Sequence, residues 1–411
     1  MTEEDRYTEI TETSWFSRIG SAFSGILVGL ILFAAAFPLL FWNEGRAVKR
    51  YKTLKEGGGK VVSVSADRID PELDGQLVHV TGEAVTEDVL TDPTFGVQTR
   101  ALKLRRTVEM FQWQESRRTE TEKKVGGGER KVTIYDYHRT WSDRLIDSSS
   151  FKQPMEHRNP PTMPIGSQTW TAEPVTLGAY TLPRSLVDDI SAYRPLDVEG
   201  SDGELKTIGD RTCEPAEDGY YCGFNSGTPE IGDLRIYYRE VPRMTVSLVA
   251  RQQGDTFSAY QTQAGGTISL LRTGVHSAEA MFQQAQTRNK WLTWLLRGAG
   301  LLVMAIGLGM IFKPLSVVAD VIPFVGSLVA AGTGMVAFLL AAVFSLITIA
   351  VAWIFYRPWI GGILLAAAAA CLAGVFMMWR KGKAKAAASG ATPPPRRPSG
   401  PPSPPPPPPR A

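Results

Sequence analysis

The sequence predicts a membrane protein: four transmembrane α-helices carrying a β-rich (α+β) extracytoplasmic domain. Three observations lead there. Long stretches near both ends carry no charge, the polar middle alternates β-branched and aromatic residues, and tryptophans gather where the apolar stretches end.

Residues 1–18 read as a cytoplasmic N-terminal tail, acidic through Glu3, Glu4, Asp5, Glu9 and Glu12 and closing on an interfacial Trp15-Phe16 pair. Such acidity is unlike the basic opening of a secretory signal peptide. No charged side chain occurs from Ile19 to Asn43, a run of 25 residues. About 20 apolar residues suffice to cross a hydrocarbon core of about 30 Å, so residues 19–43 are read as the first span. Residues 44–290 form the extracytoplasmic domain. The second span, 291–312, holds one charge, Arg297, near enough to its start for the guanidinium to reach the headgroups.

From Val321 to Trp379 the only charge is Arg357, which precedes Pro358. The 36 residues before it would run to about 54 Å as one helix, more than a bilayer requires. A break is therefore expected at Gly332-Thr333-Gly334. It leaves 318–332 as an embedded or re-entrant segment, 335–355 as the third span and 358–379 as the fourth. Three short spans in this region would instead put the C-terminus on the other side. Residues 380–411 read as a disordered, proline-rich cytoplasmic tail, because residues 381–411 hold 12 of the 28 prolines. Seven of the ten tryptophans (Trp15, Trp42, Trp291, Trp294, Trp353, Trp359 and Trp379) fall at proposed span ends, where an amphipathic ring suits the headgroup level.

Lys and Arg near the membrane number seven on the side of the termini and eight on the other, which decides nothing. Most of the second group flanks the 247-residue central segment, and a segment that long crosses largely regardless of its charge. With it set aside, the balance favours cytoplasmic termini. Cys213 and Cys222 both lie in that segment, eight residues between them in a turn-rich stretch, and suit a small disulfide loop. Cys371 falls within the last span.

Strands are expected at Val61–Ala66, Gln76–Ala84, Ala101–Gln114, Lys131–Trp141, Asp233–Glu240, Met244–Arg251, Phe257–Thr262 and Thr267–Arg272. Helix is expected at Leu186–Ile190 and Ser277–Arg288. Eight strands suffice for a sandwich or two packed sheets.

Several blocks are specific enough to carry a family resemblance. Phe37-Pro-Leu-Leu-Phe-Trp-Asn-Glu-Gly-Arg-Ala-Val48, Asp92-Pro-Thr-Phe-Gly-Val97, Lys103-Leu-Arg-Arg-Thr-Val-Glu-Met-Phe-Gln-Trp113, Ser277-Ala-Glu-Ala-Met-Phe282, Ala319-Asp-Val-Ile-Pro-Phe-Val-Gly326 and Tyr356-Arg-Pro358 resemble blocks of the transmembrane protein 43 (LUMA) family, from about Trp15 to Trp379. The resemblance implies a four-span protein with cytoplasmic termini, a large luminal domain and no established catalytic activity. In animals it implies the endoplasmic reticulum and inner nuclear membrane, self-association, and links to lamins and emerin. In a prokaryote the location becomes the plasma (inner) membrane and those partners do not carry over. The proline tail departs from the family pattern.

The four histidines lack metal-ligand spacing, and no HExxH, GxSxG or P-loop pattern occurs, so neither a metal nor a cofactor is expected. Lys103, Arg105 and Arg106 stand beside Phe111 and Trp113, but Glu109 and Glu115 intervene and the net charge is only +3. That pattern reads as a solvated strand face, with no nucleic acid as partner. The candidate functional residues are polar groups at the membrane boundary, where charge is costly and normally faces a partner: Asn43, Glu44, Arg46, Asp320 and Arg357. Four spans put Glu44 and Arg357 on one face and Asp320 on the other, making Glu44–Arg357 the pair expected to meet.

Small residues four apart predict close helix packing at Gly25 and Gly29, at Gly326, Ala330 and Gly334, and at Gly362, Ala366, Ala370 and Gly374. Whether they pack within one chain or in a homo-oligomer is left open. The expected function is a membrane scaffold binding membrane or envelope proteins through its extracytoplasmic domain. The alternative is an intramembrane enzyme or transport element using the boundary residues.

Overall fold

The computed structural model describes residues 5–198, 206–216 and 219–359. Two antiparallel-dominated sheets enclose one core, and three long helices extend from them.

The first element is a strand. β1 (Arg6–Thr13) occupies the stretch expected to be a tail and pairs with a later strand. Ser14 then caps α1 (Trp15–Lys60), its hydroxyl accepting from the Ser17 N–H. α1 is 46 residues long and continues past Asn43 into the domain without a break.

The smaller sheet is built around β3 (Leu77–Val85), with β2 (Val62–Ser65) parallel to it. Leu77 to Val80 are buried in succession because both faces of this sheet are covered. Val78 and Val80 face the sandwich core, while Leu77 packs with Leu54 of α1, Ile268, Met281 and Phe282.

The larger sheet is dominated by β4 (Lys103–Lys123) and β5 (Glu129–Ser142), which form an antiparallel hairpin over their whole shared length. β4 runs 21 residues, well beyond the Gln114 limit expected from its apolar pattern. Its proximal half alternates buried Leu104, Val108 and Met110 with more accessible residues, but Ser116–Glu122 is exposed on both faces. With β1 on its edge, this distal half forms a three-stranded ribbon projecting from the sandwich. Beyond β4 the sheet continues through β8 (Leu234–Val241), β7 (Gly219–Cys222) and β6 (Arg211–Ala216). Register places Cys213 opposite Cys222, and the two form a disulfide. β9 (Met244–Gln253) pairs with β3 in the smaller sheet.

Lys103 and Arg106 are not on a solvated face. Both are buried: Lys103 donates to the carbonyls of Asp188 and Ile190, and Arg106 grips Asp92 through two bonds of 2.9 and 2.7 Å. Tyr238 donates to the same carboxylate at 2.6 Å. The charges point inward because a buried acid and backbone carbonyls are waiting for them, which no local pattern reveals. Arg105 is exposed and lies over the Tyr193 ring.

α2 (Ala278–Ala319) opens on a Ser277 cap and returns antiparallel to α1. The backbones approach most closely where Gly29 meets Gly307: a Cβ at Gly29 would lie 2.7 Å from the Gly307 carbonyl oxygen. Gly300 likewise admits Leu40.

A turn at Asp320–Ile322 leads into α3 (Pro323–Tyr356). The helix break expected at Gly332-Thr333-Gly334 is absent; α3 runs through it, and Thr333 bonds back to the carbonyls of Val329 and Ala330. The chain breaks instead at 320–322. Ala337 and Ala341 pack with Ala36, Leu40, Met304 and Leu308. Three described helices are long and apolar enough to cross a membrane. The expected fourth span, 358–379, and its Gly362, Ala366, Ala370 and Gly374 stripe lie outside the described residues, as does the proline-rich tail.

Candidate functional site

Two groups of charged residues mark the two ends of the apolar part of the α1–α2 pair. At the end nearer the sandwich, Glu44 is buried and receives Arg297 through both carboxylate oxygens, at 2.6 and 2.8 Å. This bidentate fork is the strongest geometry available to the pair. Glu44 pairs with Arg297, the lone charge of the second span. Arg357 follows α3, its backbone N–H bonded to the Trp353 carbonyl. The Arg297 guanidinium also covers the Trp294 ring, 4.7 Å from the centroid.

Beside Glu44, Asn43 donates at 3.1 Å to the carbonyl of Thr293, one turn before Arg297 on α2. Arg46 donates to Asn289, Asn43 and Thr293 side chains. Asn289 completes the lattice by donating to the Ala47 carbonyl. Asn43, Glu44 and Arg46 thus form one polar zipper between the helices.

At the opposite end, Asp320 caps α2 and is buried. Arg18 of α1 donates to its Oδ2 at 2.6 Å, and Lys123 from the ribbon tip donates to Oδ1 at 2.7 Å. Arg18 also donates to the Gly127 carbonyl and approaches Glu129 at 3.4 Å. Trp15 donates its indole N–H to the Val317 carbonyl, and the Gly126 N–H bonds the Val321 carbonyl. Gly326 is required here for space, since any Cβ would strike the Asp320 carboxylate. Burial alone would raise the Asp320 carboxyl, but hydrogen bonds and charge from Lys123 and Arg18 outweigh it and hold it below its ordinary value.

The candidate residues therefore fall into two separate sites. Asn43, Glu44 and Arg46 come together, and Asp320 sits with Arg18 and Lys123. Sequence reasoning missed Arg18, Lys123, Glu129, Asn289, Thr293 and Arg297. The rule that a charge within an apolar run needs a partner could have found Arg297. The Gly126-Gly127-Gly128 turn could have flagged the ribbon tip. Among the described residues no His, Cys, Asp and Glu group could hold a metal.

Comparison with known proteins decides the lineage. The profile of the transmembrane protein 43 family matches residues 110–358. The chain is 35% identical over 367 residues to transmembrane protein 43 of Rattus norvegicus, covering 87% of this chain and 90% of the relative. The chain belongs to the transmembrane protein 43 family. Its Homo sapiens relative is 34% identical over 359 residues (85% and 88% covered), and the Drosophila melanogaster homolog 31% over 353 (82% and 90% covered). No solved structure matches. Family membership and three apolar helices make this a membrane protein with a β-rich domain.

Proposed function

We propose that this family member is a multi-pass membrane scaffold whose sandwich engages membrane or envelope proteins, with self-association through its helices. The supporting observation is that the boundary charges satisfy one another. Glu44 gives both oxygens to Arg297, and Asp320 gives one each to Arg18 and Lys123. Groups committed to such pairs hold helices in place. Proximity labelling in the native host tests this reading: recurrent membrane-protein partners are expected, and a sandwich that recovers none argues against it.

A bilayer around residues 19–43 and 291–312 would lie at the depth of the ribbon, whose tip reaches Arg18. Arg117, Arg118, Glu120 and Glu122 are exposed on that ribbon and too costly to leave in hydrocarbon. The proposed topology therefore puts water beside one side of the helix pair and lipid against another. It departs from a central segment held wholly on one side of the membrane, because Lys123 and Gly127 belong to that segment yet meet Arg18 and Asp320.

The ribbon also favours a second reading, a transport element with a watery groove at membrane depth. Cysteines placed at Ser116 and Thr121, with Cys371 replaced by Ser, separate the possibilities. Reaction with an impermeant thiol reagent at both positions, together with solute flux in liposomes, favours transport. Reaction without flux favours the scaffold.

A further inference from the structure

Near the sandwich end of the α1–α2 pair, four arginines line one pocket of about 330 Å³: Arg46 and Arg50 from α1, Arg288 from α2, and Arg272 from the strand Leu270–Thr273. Their spacing in sequence conceals this, since the fold brings three separate segments to one place. Like charges repel, and burial together with the charge of Arg288 makes the Arg50 guanidinium easier to deprotonate than usual. Among the described residues no carboxylate forms an ion pair with any of the four, although Glu44, committed to Arg297, lies within electrostatic reach of Arg46. Arg272 and Arg288 make no side-chain hydrogen bond there either. Arg46 is held by Asn43, Asn289 and Thr293, yet its buried Nε–H has no acceptor. A fold that collects uncompensated positive charge in a concave site is arranged for an anion.

The surroundings narrow the anion. The pocket wall includes Leu270 and Leu292, so it is apolar as well as cationic. It straddles the start of the apolar part of α2 and lies one or two turns beyond Asn43, where the apolar part of α1 ends. Exposed Trp42, Trp291 and Trp294 stand at the same level, the level such rings take beside headgroups. A free phosphate would need the guanidinium groups but not the leucines or the membrane depth.

We propose that this pocket binds the phosphate of an anionic phospholipid headgroup, with the first carbons of the lipid against Leu270 and Leu292. The inference rests on α1 and α2 crossing lipid, as proposed above. It adds a built, saturable site to that reading: one headgroup held by converging guanidinium groups, in place of diffuse attraction to the surface.

The test uses the full chain in nanodiscs of phosphatidylcholine doped with phosphatidylglycerol, read by native mass spectrometry. Retained phosphatidylglycerol is expected. Arg272→Gln and Arg288→Gln should each weaken retention about tenfold, the loss of one charge-assisted bond. Arg184→Gln, outside the pocket, should leave retention unchanged. Arg272 and Arg288 hold no other group, so unaltered thermal unfolding is expected and separates lost binding from lost folding. Equal retention in the doubly substituted protein overturns the site. So does saturable binding of inorganic phosphate to the same arginines with no preference for phosphatidylglycerol. Failure to enter nanodiscs at all would instead strike the spanning reading, and is thereby distinguishable.

Discussion

Arg297 reaches from α2 to α1 and donates to both oxygens of Glu44, closing a buried fork between two helices that run in opposite directions. Removing one partner strands a charge. Glu44→Gln or Arg297→Gln should lower unfolding stability by about 3–5 kcal/mol, the usual cost of breaking a buried pair. Replacing both with apolar residues of similar volume should restore much of it. Thermal unfolding in nanodiscs, run as a double-substitution cycle, measures the coupling; additive losses would mean that the fork contributes nothing specific.

The crossing of α1 and α2 has no room for a side chain at Gly29 or Gly307. Gly29→Leu should force the helices apart and cost about 1–3 kcal/mol or more, as overpacking does. Gly334→Leu, where a Cβ would meet nothing within 4 Å, should be nearly neutral within the chain. Comparing the two unfolding midpoints isolates packing from composition; similar losses would contradict the described crossing.

Acid should loosen the ribbon tip. The folded carboxyl of Asp320 lies below its unfolded value of 3.8, because Lys123 and Arg18 stabilise the charged form more than burial penalises it. Its contribution is therefore present above 3.8 and disappears as pH falls through the lower folded value. Hydrogen exchange at residues 124–128 should be slow near neutrality and rise below pH 4. Asp320→Asn should show fast exchange there already at pH 7, while protection of β3 and β9 is unchanged.

The Cys213–Cys222 disulfide ties β6 to β7 across eight intervening residues. Substituting both with Ser should destabilise the sandwich by about 2–3 kcal/mol on loop-closure grounds. Denaturant unfolding under non-reducing conditions checks the size, and an unchanged midpoint would show that strand pairing alone closes this loop.

Much of the fold was legible because one signal dominates each part. Runs without charge revealed α1, α2 and α3, and alternation revealed β3, the proximal half of β4, β8 and β9. The ribbon was not, because its apolar pattern stops near Gln114 and only pairing partners keep Arg117 and Glu122 extended. β1 was lost for the same reason: Glu9 and Glu12 suggest a tail until Lys152 and Lys124 are found beside them. At the candidate site, cost arguments drew attention to Glu44 and Asp320, and the structure pairs both with cations. Which partner each takes depends on helix pairing and on a contact spanning from Lys123 to Asp320, and neither is encoded locally. The glycines at 332 and 334 misled because a helix bundle tolerates them, as it tolerates Pro38 within α1 and Pro314 within α2, and the chain turns instead at 320–322.

On the proposed topology, α1 runs without interruption from lipid into the sandwich and can act as a lever. From Glu44 to Lys60 α1 extends a further 25 Å or so, and a tilt of roughly ten degrees about its membrane exit would swing the far end by about 4 Å. Thinning the bilayer, or crowding it with another helix, would thus be felt by β2 and β3 as displacement, and a partner bound to the sandwich would be moved along with them.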